Sequence, residues 1–261
     1  MSKNKGAVYV QGDFANASTK SMFVKAGYVI SPSIDASDIV VWTGGEDIDP
    51  RIYGEENKYC WGVSPERDNQ DLAAVDKAWG LNKFLVGVCR GAQLLNCFPN
   101  AGKLWQDVDG HGGGVHVVRD FVTDALWACN TLHHQMLRPT KDALIVAGVK
   151  RSCRRKNADG VEEGDQVDPE VVYYHKTKSL LFQGHPEFGH LATTNYFFEL
   201  MDRYWLGTVT KGRRHAITSV STSVNTSVSV RQPCPTYAVC SSTGVATEAA
   251  EECANLPGSP A

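Results

Sequence analysis

One stretch near the middle of the chain, residues 83–98, constrains the fold more than any other. It reads KFLVGVCRGAQLLNCF. Its first half is a short and nearly continuous apolar run, which is typical of a strand buried on both faces of a parallel sheet. The residues from Ala92 onward predict a helix. Between the two lies Gly87-Val88-Cys89-Arg90-Gly91, in which glycines on either side of one nucleophilic side chain allow a sharp strand-to-helix turn.

This turn, a nucleophile elbow, makes Cys89 a candidate catalytic residue. It lifts the sulfur off the sheet towards the first turn of the helix, whose free N–H groups and dipole favour a thiolate. A free cysteine is more often a small buried hydrophobic residue, so the motif alone leaves both interpretations open. An acyl-transfer site also needs two backbone N–H donors for an oxyanion. Arg90, directly after the cysteine, and Gly45, in a glycine pair that follows another predicted strand, are the candidates.

A candidate partner for the thiolate lies much later in the chain. Residues 179–183 predict another short buried strand, which is followed by Gly184-His185-Pro186-Glu187. A thiolate nucleophile needs an imidazole to move protons and a group that orients the imidazole. Because residues two apart in an extended segment point the same way, Glu187 can hold the ring of His185. Cys89 and His185 would both lie at carboxyl ends of strands, where open α/β sheets bind ligands.

Together these motifs resemble the class I glutamine amidotransferase-like superfamily, whose signatures are G-x-C-x-G-x-Q and a later H-P-E. The first signature is matched by Gly87, Cys89, Gly91 and Gln93, and the second by His185, Pro186 and Glu187. The resemblance covers roughly residues 7–206. It implies an α/β fold of the flavodoxin-like type, with a doubly wound, mostly parallel sheet flanked by helices. It also implies a Cys-His-Glu triad.

Two further segments are similar to the γ-glutamyl hydrolase (peptidase C26-like) branch of that superfamily, and a third resembles a segment of the family as a whole. Residues 44–50 read GGEDIDP, like its G-G-x-D-x-x-P stretch, and residues 130–135 read NTLHHQ, like N-S-x-H-H-Q. Residues 100–107 resemble the family segment G-G-x-L-x-Q-D. The resemblance implies a glutamyl pocket with substrate contacts from Gly44, Asp47, Gln93, Gln106, His133, His134 and Gln135.

Plainer interpretations remain open for several of these residues. The glycine pair could form only a tight turn, Gln106 could serve in polar packing, and adjacent histidines are often surface groups. Arg67-Asp68, in the first turn of a helix predicted from Ser64, resembles an R-D pair of the hydrolase branch and fits a solvated pair equally well. His133 is not the predicted base, since no orienting group lies within two residues of it.

A glycine- and histidine-rich loop, residues 109–116, reads DGHGGGVH. His111 and His116 could suggest a metal, but no carboxylate or cysteine pattern accompanies them, so we predict neither a metal nor a cofactor. The polar segment 150–170 predicts a hairpin turning at residues 157–160. A solvated loop is the favoured interpretation there, and a docking patch for a partner is the alternative.

Composition bounds the class of protein. The net charge of −3 indicates neither a nucleic-acid nor a membrane partner, and no apolar run approaches the length of a membrane span. The start of the chain, MSKNKG, lacks a signal-peptide core, and the eight cysteines match no zinc pattern, so we expect a reduced, cytoplasmic protein. Residues 1–207 are predicted to form the catalytic domain. Residues 208–261 are low in complexity and predict a disordered tail.

The motifs suggest that Cys89 cleaves the γ-glutamyl amide of glutamine or a γ-glutamyl conjugate through a thioester, which releases glutamate and ammonia or an amine. In one version, ammonia passes to a separate synthetase chain, as in glutamine amidotransferases. In the other, the protein is a stand-alone γ-glutamyl peptide or amine hydrolase, which GGEDIDP and NTLHHQ favour. A catalytically inert binding module is a remote alternative, because both the nucleophile and the histidine are present.

Overall fold

The computed structural model describes residues 4–150, 154–162 and 167–208. The helices in this part of the chain are α1 (Asn16–Lys25), α2 (Pro65–Gly80), α3 (Arg90–Cys97) and α4 (Leu191–Tyr204). The strands are β1 (Ala7–Gln11), β2 (Val29–Ile30), β3 (Ile39–Trp42), β4 (Phe84–Val88), β5 (Lys103–Trp105), β6 (Asp107–Val108), β7 (Val115–Asp120), β8 (Leu126–Asn130), β9 (Met136–Arg138), β10 (Leu144–Lys150), β11 (Arg155–Asn157), β12 (Gly160–Glu162), β13 (Val167–Tyr174) and β14 (Ser179–Phe182). The predicted tail lies outside the described residues, apart from Thr208.

A nine-stranded mixed sheet forms the centre of the fold, in the order β2-β1-β3-β4-β14-β13-β10-β7-β8. The strands from β2 to β14 pair in parallel. Those from β14 onward pair antiparallel. Two small sheets, β12-β11-β6 and β5-β9, lie beside it. The predicted α/β architecture is confirmed, and β14 is the strand at which the sheet changes from parallel to antiparallel.

Helices cover both faces of the parallel half. Successive strand residues point to opposite faces, so each strand contributes to two hydrophobic clusters. One cluster joins the strands to α1 and α4, and its members include Val8, Val41, Val86, Leu180, Phe23 and Phe197. The other joins them to α2 and α3, and its members include Val40, Leu85, Leu181, Val75 and Leu94. Because both faces are covered, every residue of β3, β4 and β14 is buried, which explains their unbroken apolar runs.

The polar segment that follows β10 differs from the expected solvated loop. It does form the predicted hairpin, in which β11 pairs with β12 and Asn157 lies opposite Gly160. However, β11 also pairs with β6, and Arg155 is buried with its guanidinium against Asp168. The expectation of a solvated loop is therefore wrong for β11. Its Arg155 is buried, and the carboxylate of Asp168 on β13 compensates the charge of the guanidinium.

The described helices show no membrane-spanning candidate: none is both long and apolar enough to cross a bilayer.

Candidate active site

The sharp turn between β4 and α3 holds Cys89 in a strained backbone conformation, with φ of 51° and ψ of −110°. A non-glycine residue in such a region costs on the order of 1–3 kcal/mol and is concentrated at functional sites. The flanking glycines are required by space. A Cβ at Gly87 would lie 2.4 Å from the backbone of Gly91, and one at Gly91 would lie 2.2 Å from the carbonyl oxygen of Trp42. The motif therefore lets α3 pack directly against the neighbouring strand β3.

The structure brings Cys89 and His185 together at the ends of adjacent strands. β14 runs parallel to β4, with Phe182 opposite Val88, and the N–H of Cys89 donates to the carbonyl of Phe182 at 2.8 Å. Cys89 is close enough to His185 to raise the pKa of its ring. On the other side of the ring, Nδ1 of His185 lies 2.8 Å from Oε1 of Glu187. The three residues predicted as a triad are thus in one contiguous arrangement.

The charges around His185 favour its imidazolium form. Burial by itself would lower the pKa of this histidine, because only 3% of the residue is exposed. The charge and hydrogen bond of Cys89, together with the carboxylate of Glu187, outweigh that effect and raise the pKa to about 10. The surroundings therefore favour a protonated His185 ring at neutral pH.

Asn130, at the end of β8, is a positioning residue that the sequence analysis missed. Its Oδ1 accepts the N–H of His185 at 2.8 Å, and its Nδ2 donates to the carbonyl of His185 at 2.7 Å. The ring of Phe188 stacks on the imidazole at 4.5 Å between centroids, and Phe14 meets it edge-on. In the sequence, this position was indicated only by the place of Asn130 at the start of the segment that resembles N-S-x-H-H-Q.

The glycine pair after β3 lies against His185 and Arg67. A Cβ at Gly44 would lie 2.9 Å from Cε1 of His185, and one at Gly45, whose φ is 146°, would lie 2.0 Å from Nη1 of Arg67. Arg67 donates from Nη2 to the carbonyl of Gly44 at 2.7 Å and pairs with Glu46. Close approach of neighbouring groups, in addition to a turn, requires glycine at both positions. An oxyanion contact from Gly45 stays a prediction.

A buried network of ion pairs holds Arg90, the residue after Cys89. Arg90 is only 1% exposed, and its guanidinium bridges Asp68 and Asp71 of α2 at 2.5 and 2.6 Å. Asp68 also accepts the N–H of Asp49 at 3.1 Å. The network therefore ties the elbow, α2 and the loop after β3 together. It also shows that Asp68 is not part of a solvated surface pair, the other interpretation that its sequence allowed.

Two of the predicted substrate-binding glutamines meet beside the elbow. Gln93, on α3, donates from Nε2 to the carbonyl of Gln135 at 3.2 Å, and Gln183 donates to the same carbonyl at the same distance. The side chain of Gln135 donates to Sγ of Cys60 at 3.0 Å. These contacts join α3, the end of β14 and the loop that contains Cys60. Contact of Gln93 and Gln135 with a substrate stays a prediction.

Gln106 is held by a loop instead of facing an open pocket. Its Oε1 accepts the N–H groups of Lys58 and Tyr59 at 3.0 and 3.1 Å, and its Nε2 donates to the carbonyl of Glu56 at 2.8 Å. The side chain is fully buried. The structure thus supports the packing role for Gln106, and a substrate contact, which would need these bonds to rearrange, stays a prediction.

The adjacent histidines point to different surroundings. His134 lies 2.9 Å from the carboxylate of Asp47, which also accepts the N–H of Trp61 at 2.9 Å, and the Trp61 ring covers His134 at 4.6 Å. Burial opposes the charged form of His134, but Asp47 and Asp107 raise its pKa. His133 instead turns inward, with Nδ1 2.9 Å from the carbonyl of Gln135. Asp47 and His134 therefore lie in contact, whereas His133 faces a separate buried cluster. Contact of Gly44, Asp47, His133 and His134 with a substrate stays a prediction.

Comparisons with known proteins support the fold and the family. A glutamine amidotransferase from Thermotoga maritima has a TM-score of 0.50 and 12% identity, and the match covers 78% of this chain and 85% of that chain. A candidate GMP synthase component from Thermoplasma acidophilum also has a TM-score of 0.50, at 15% identity, over 77% of this chain and 96% of that one. At these identities the likeness concerns the fold alone.

Sequence relatives extend over part of the chain. The glutamine amidotransferase-like protein YvdE of Lactococcus lactis subsp. lactis is 46% identical over 72 residues, 27% of this chain and 30% of that protein. Its homologue in L. lactis subsp. cremoris is matched over 38% of its length, so the chain spans about a third of these relatives. Protein NtpR of Enterococcus hirae is 27% identical over 188 residues, 63% of this chain and 72% of that protein.

The family model of peptidase C26 matches residues 22–152, about half of the chain, and this stretch includes the elbow, the glycine pair and the paired histidines. Membership of this family, with its glutamine amidotransferase-like relatives, favours a hydrolase- or amidotransferase-type activity. The chain belongs to the peptidase C26 family.

Proposed function

We propose that this protein cleaves the γ-glutamyl amide of glutamine, or of a γ-glutamyl conjugate, through a thioester on Cys89. The observation that carries the proposal is the position of Cys89 and His185 at the ends of two paired parallel strands, with Nδ1 of His185 2.8 Å from Glu187. A nucleophile, a proton-transferring imidazole and its orienting group are the parts that acyl transfer needs.

In the proposed mechanism, the Cys89 thiolate attacks the γ-carbonyl carbon, and the backbone N–H groups of Gly45 and Arg90 stabilise the oxyanion. The tetrahedral intermediate collapses as the C–N bond breaks, and His185 gives its proton to the departing nitrogen. The neutral ring then takes a proton from water, whose oxygen attacks the thioester. Glutamate leaves, and the proton on His185 restores the starting ion pair. Glu187 fixes the orientation of the ring and stabilises its charged form throughout.

Glutamine with a synthetase partner is the first candidate for the overall reaction. It is supported by the glutamine amidotransferase-like relatives. Ammonia formed at Cys89 would then be consumed by a separate synthetase chain. In this version we expect glutamine turnover to rise when the partner is present.

A stand-alone γ-glutamyl hydrolase is the second candidate, and the contact between Asp47 and His134 favours it. These residues belong to GGEDIDP and NTLHHQ, the two segments that resemble the hydrolase branch, and they meet at 2.9 Å. Trp61, 68% exposed, lies over His134 and offers an aromatic surface next to them. Steady-state assays on glutamine and on γ-glutamyl amines, with and without cell extract, separate the two candidates. Activity on glutamine only in extract supports the synthetase-coupled version.

The decisive variant is Cys89→Ala. We expect it to abolish glutamate release from every substrate that the wild type turns over, while the melting temperature stays close to the wild-type value. Unchanged turnover in Cys89→Ala would falsify the assignment of the nucleophile.

Thiol labelling tests the inert alternative. Burial raises the pKa values of Cys97 and Cys129, and it raises that of Cys60 to about 11, so these groups stay protonated at neutral pH. We expect iodoacetamide, with the modified residue mapped by mass spectrometry, to alkylate Cys89 much faster than these three. Equally slow labelling of all four would favour a binding module.

A further inference from the structure

Three buried side chains and one half-buried histidine form a cluster outside the proposed catalytic site. We call them the histidine–glutamate cluster: the buried His111, His133 and Glu170, and the half-buried His116. His111 and His133 come from the segments before β7 and after β8, and Glu170 comes from β13. His111, His133 and Glu170 are between 3% and 5% exposed. One ligand-type atom from each of these three lies within 4.8 Å of those of the other two.

The facing atoms of this cluster are buried and lack hydrogen-bond partners: Nδ1 of His111, Nε2 of His116, Nε2 of His133 and Oε1 of Glu170. A buried polar atom without a partner costs about 1–3 kcal/mol, so such atoms are rare in proteins and call for an explanation. Here four of them lie around the Glu170 carboxylate. Three are imidazole nitrogens and one is a carboxylate oxygen.

Hydrogen bonds on the outer side of the His111 and His133 rings determine whether the inner nitrogen of each ring carries a hydrogen or a lone pair. Nδ1 of His133 lies 2.9 Å from the carbonyl of Gln135, which can only accept, so this nitrogen carries the hydrogen. Nε2 of His111 lies 3.0 Å from Oδ2 of Asp168, and Arg155 binds the other oxygen of that carboxylate. In a neutral ring, each inner nitrogen then directs a lone pair at Glu170. Lone pairs facing a carboxylate repel it unless a cation lies between them.

The three imidazole nitrogens lie at distances from the Glu170 carboxylate that are close to those between neighbouring ligands of a metal ion. Nδ1 of His111 and Nε2 of His116 lie 3.2 and 3.6 Å from Oε1 of Glu170, and Nε2 of His133 lies 3.7 Å from Oε2. With bonds of about 2.0–2.1 Å to zinc, neighbouring ligands of a tetrahedron are about 3.3 Å apart. The outer contacts of His111 and His133, to a carboxylate and a carbonyl, are those that orient metal-bound imidazoles in proteins.

We propose that the histidine–glutamate cluster binds one zinc ion, with His111, His133 and Glu170 as ligands and His116 as the fourth. Three imidazoles and a carboxylate are a donor set that suits Zn²⁺. With His116 bound, four protein ligands would close the coordination sphere, which is the arrangement of a structural zinc site. It would link the glycine-rich loop before β7 to the segment that carries His134 and Gln135 beside the elbow. No local pattern in the sequence indicates this site, because Glu170 lies far along the chain from His111 and His116.

The full-length chain provides the test. We expect protein purified after growth with zinc, or reconstituted with zinc and desalted, to retain an equimolar amount of the metal by elemental analysis. His133→Ala and Glu170→Gln should lose it, and His175→Ala, which removes an exposed histidine outside the cluster, should keep it. Co²⁺ added to the metal-free wild type should give the intense visible d–d bands of a tetrahedral site, without a thiolate charge-transfer band, and Cys89→Ala should give the same spectrum.

Three results would overturn the proposal. One is a wild type that retains no zinc and gives no tetrahedral Co²⁺ spectrum. Another is unchanged zinc content in folded His133→Ala and Glu170→Gln. The third is a thiolate band that disappears in Cys89→Ala, which would assign the metal to the elbow. In the first case the cluster is a proton-sharing network, in which Asp168 and Glu170 hold the proton of His111. Because the Co²⁺ titration uses wild-type protein, misfolding of a variant leaves the test intact.

Discussion

Asn130→Ala removes the amide that holds the backbone of His185. Both bonds of that amide, at 2.8 and 2.7 Å, go to a residue that is only 3% exposed, so no water replaces them freely. A hydrogen bond contributes about 0.5–1.5 kcal/mol net, and leaving a buried group unpaired costs about 1–3 kcal/mol. We therefore expect the free energy of unfolding to fall by about 2–4 kcal/mol. For a domain of this size, that lowers Tm by roughly 4–16 °C.

The effect on catalysis should exceed the effect on stability. Released from Asn130, the backbone of His185 can shift, and a displacement of about 1 Å at a catalytic group can cost about 100-fold in rate. We expect kcat/KM for glutamate release to fall by about that factor, measured well below the Tm of the variant. Thr193→Val is the matched control, because Thr193 accepts the N–H of Asn130 at 2.8 Å and makes no bond to His185. It should lower Tm and keep kcat/KM near the wild-type value. Wild-type kcat/KM in Asn130→Ala, or an equal loss in both variants, would refute the positioning role.

Two further perturbations test the triad and the elbow. Glu187→Gln removes a charge that stabilises the imidazolium of His185, so the pKa of that ring falls from about 10. The alkaline limb of the pH–kcat/KM profile should therefore move to lower pH, and kcat/KM should fall by up to about 10⁴-fold. An unmoved alkaline limb would contradict this prediction. Gly91→Ala places a Cβ 2.2 Å from the Trp42 carbonyl oxygen, so we expect the variant protein to misfold and to be lost from the soluble fraction. Gly112→Ala is the control, because a Cβ there meets no atom within 4 Å, and its Tm should equal that of the wild type. A soluble Gly91→Ala with unchanged Tm would show that the packing argument is wrong.

The sequence predicted well those features that depend on short stretches of chain. The strands β4 and β14 lie where the apolar runs of residues 83–98 and 179–183 predict them, because buried parallel strands read as unbroken apolar runs. The contact between His185 and Glu187 also followed from local geometry alone. By contrast, β5, β6 and β9 were not predicted, since they span two or three residues each and are defined by distant partners. The helix α3 begins at Arg90, two residues before the expected start.

The parts of the site that the sequence did not predict come from the antiparallel half of the sheet. Asn130 ends β8, the outermost strand, which is four positions from β14 in the sheet order. Neighbouring strands are about 4.8 Å apart, so in a flat sheet these two would be separated by roughly 19 Å. Asn130 nevertheless bonds to His185 directly after β14.

The antiparallel half must therefore curl back over the carboxyl ends of the parallel strands. The pairing of β10 with β13 supplies a physical cause, because its register shifts twice between Ile145 and Gly148. Such bulges bend a strand and increase its twist. Motifs on β4 and β14 thus define the reacting groups, whereas the curvature of strands between them and β8 decides which residues support those groups. A short motif in the sequence contains no information on that curvature, which is why Cys89 and His185 could be predicted from the chain and Asn130 could not.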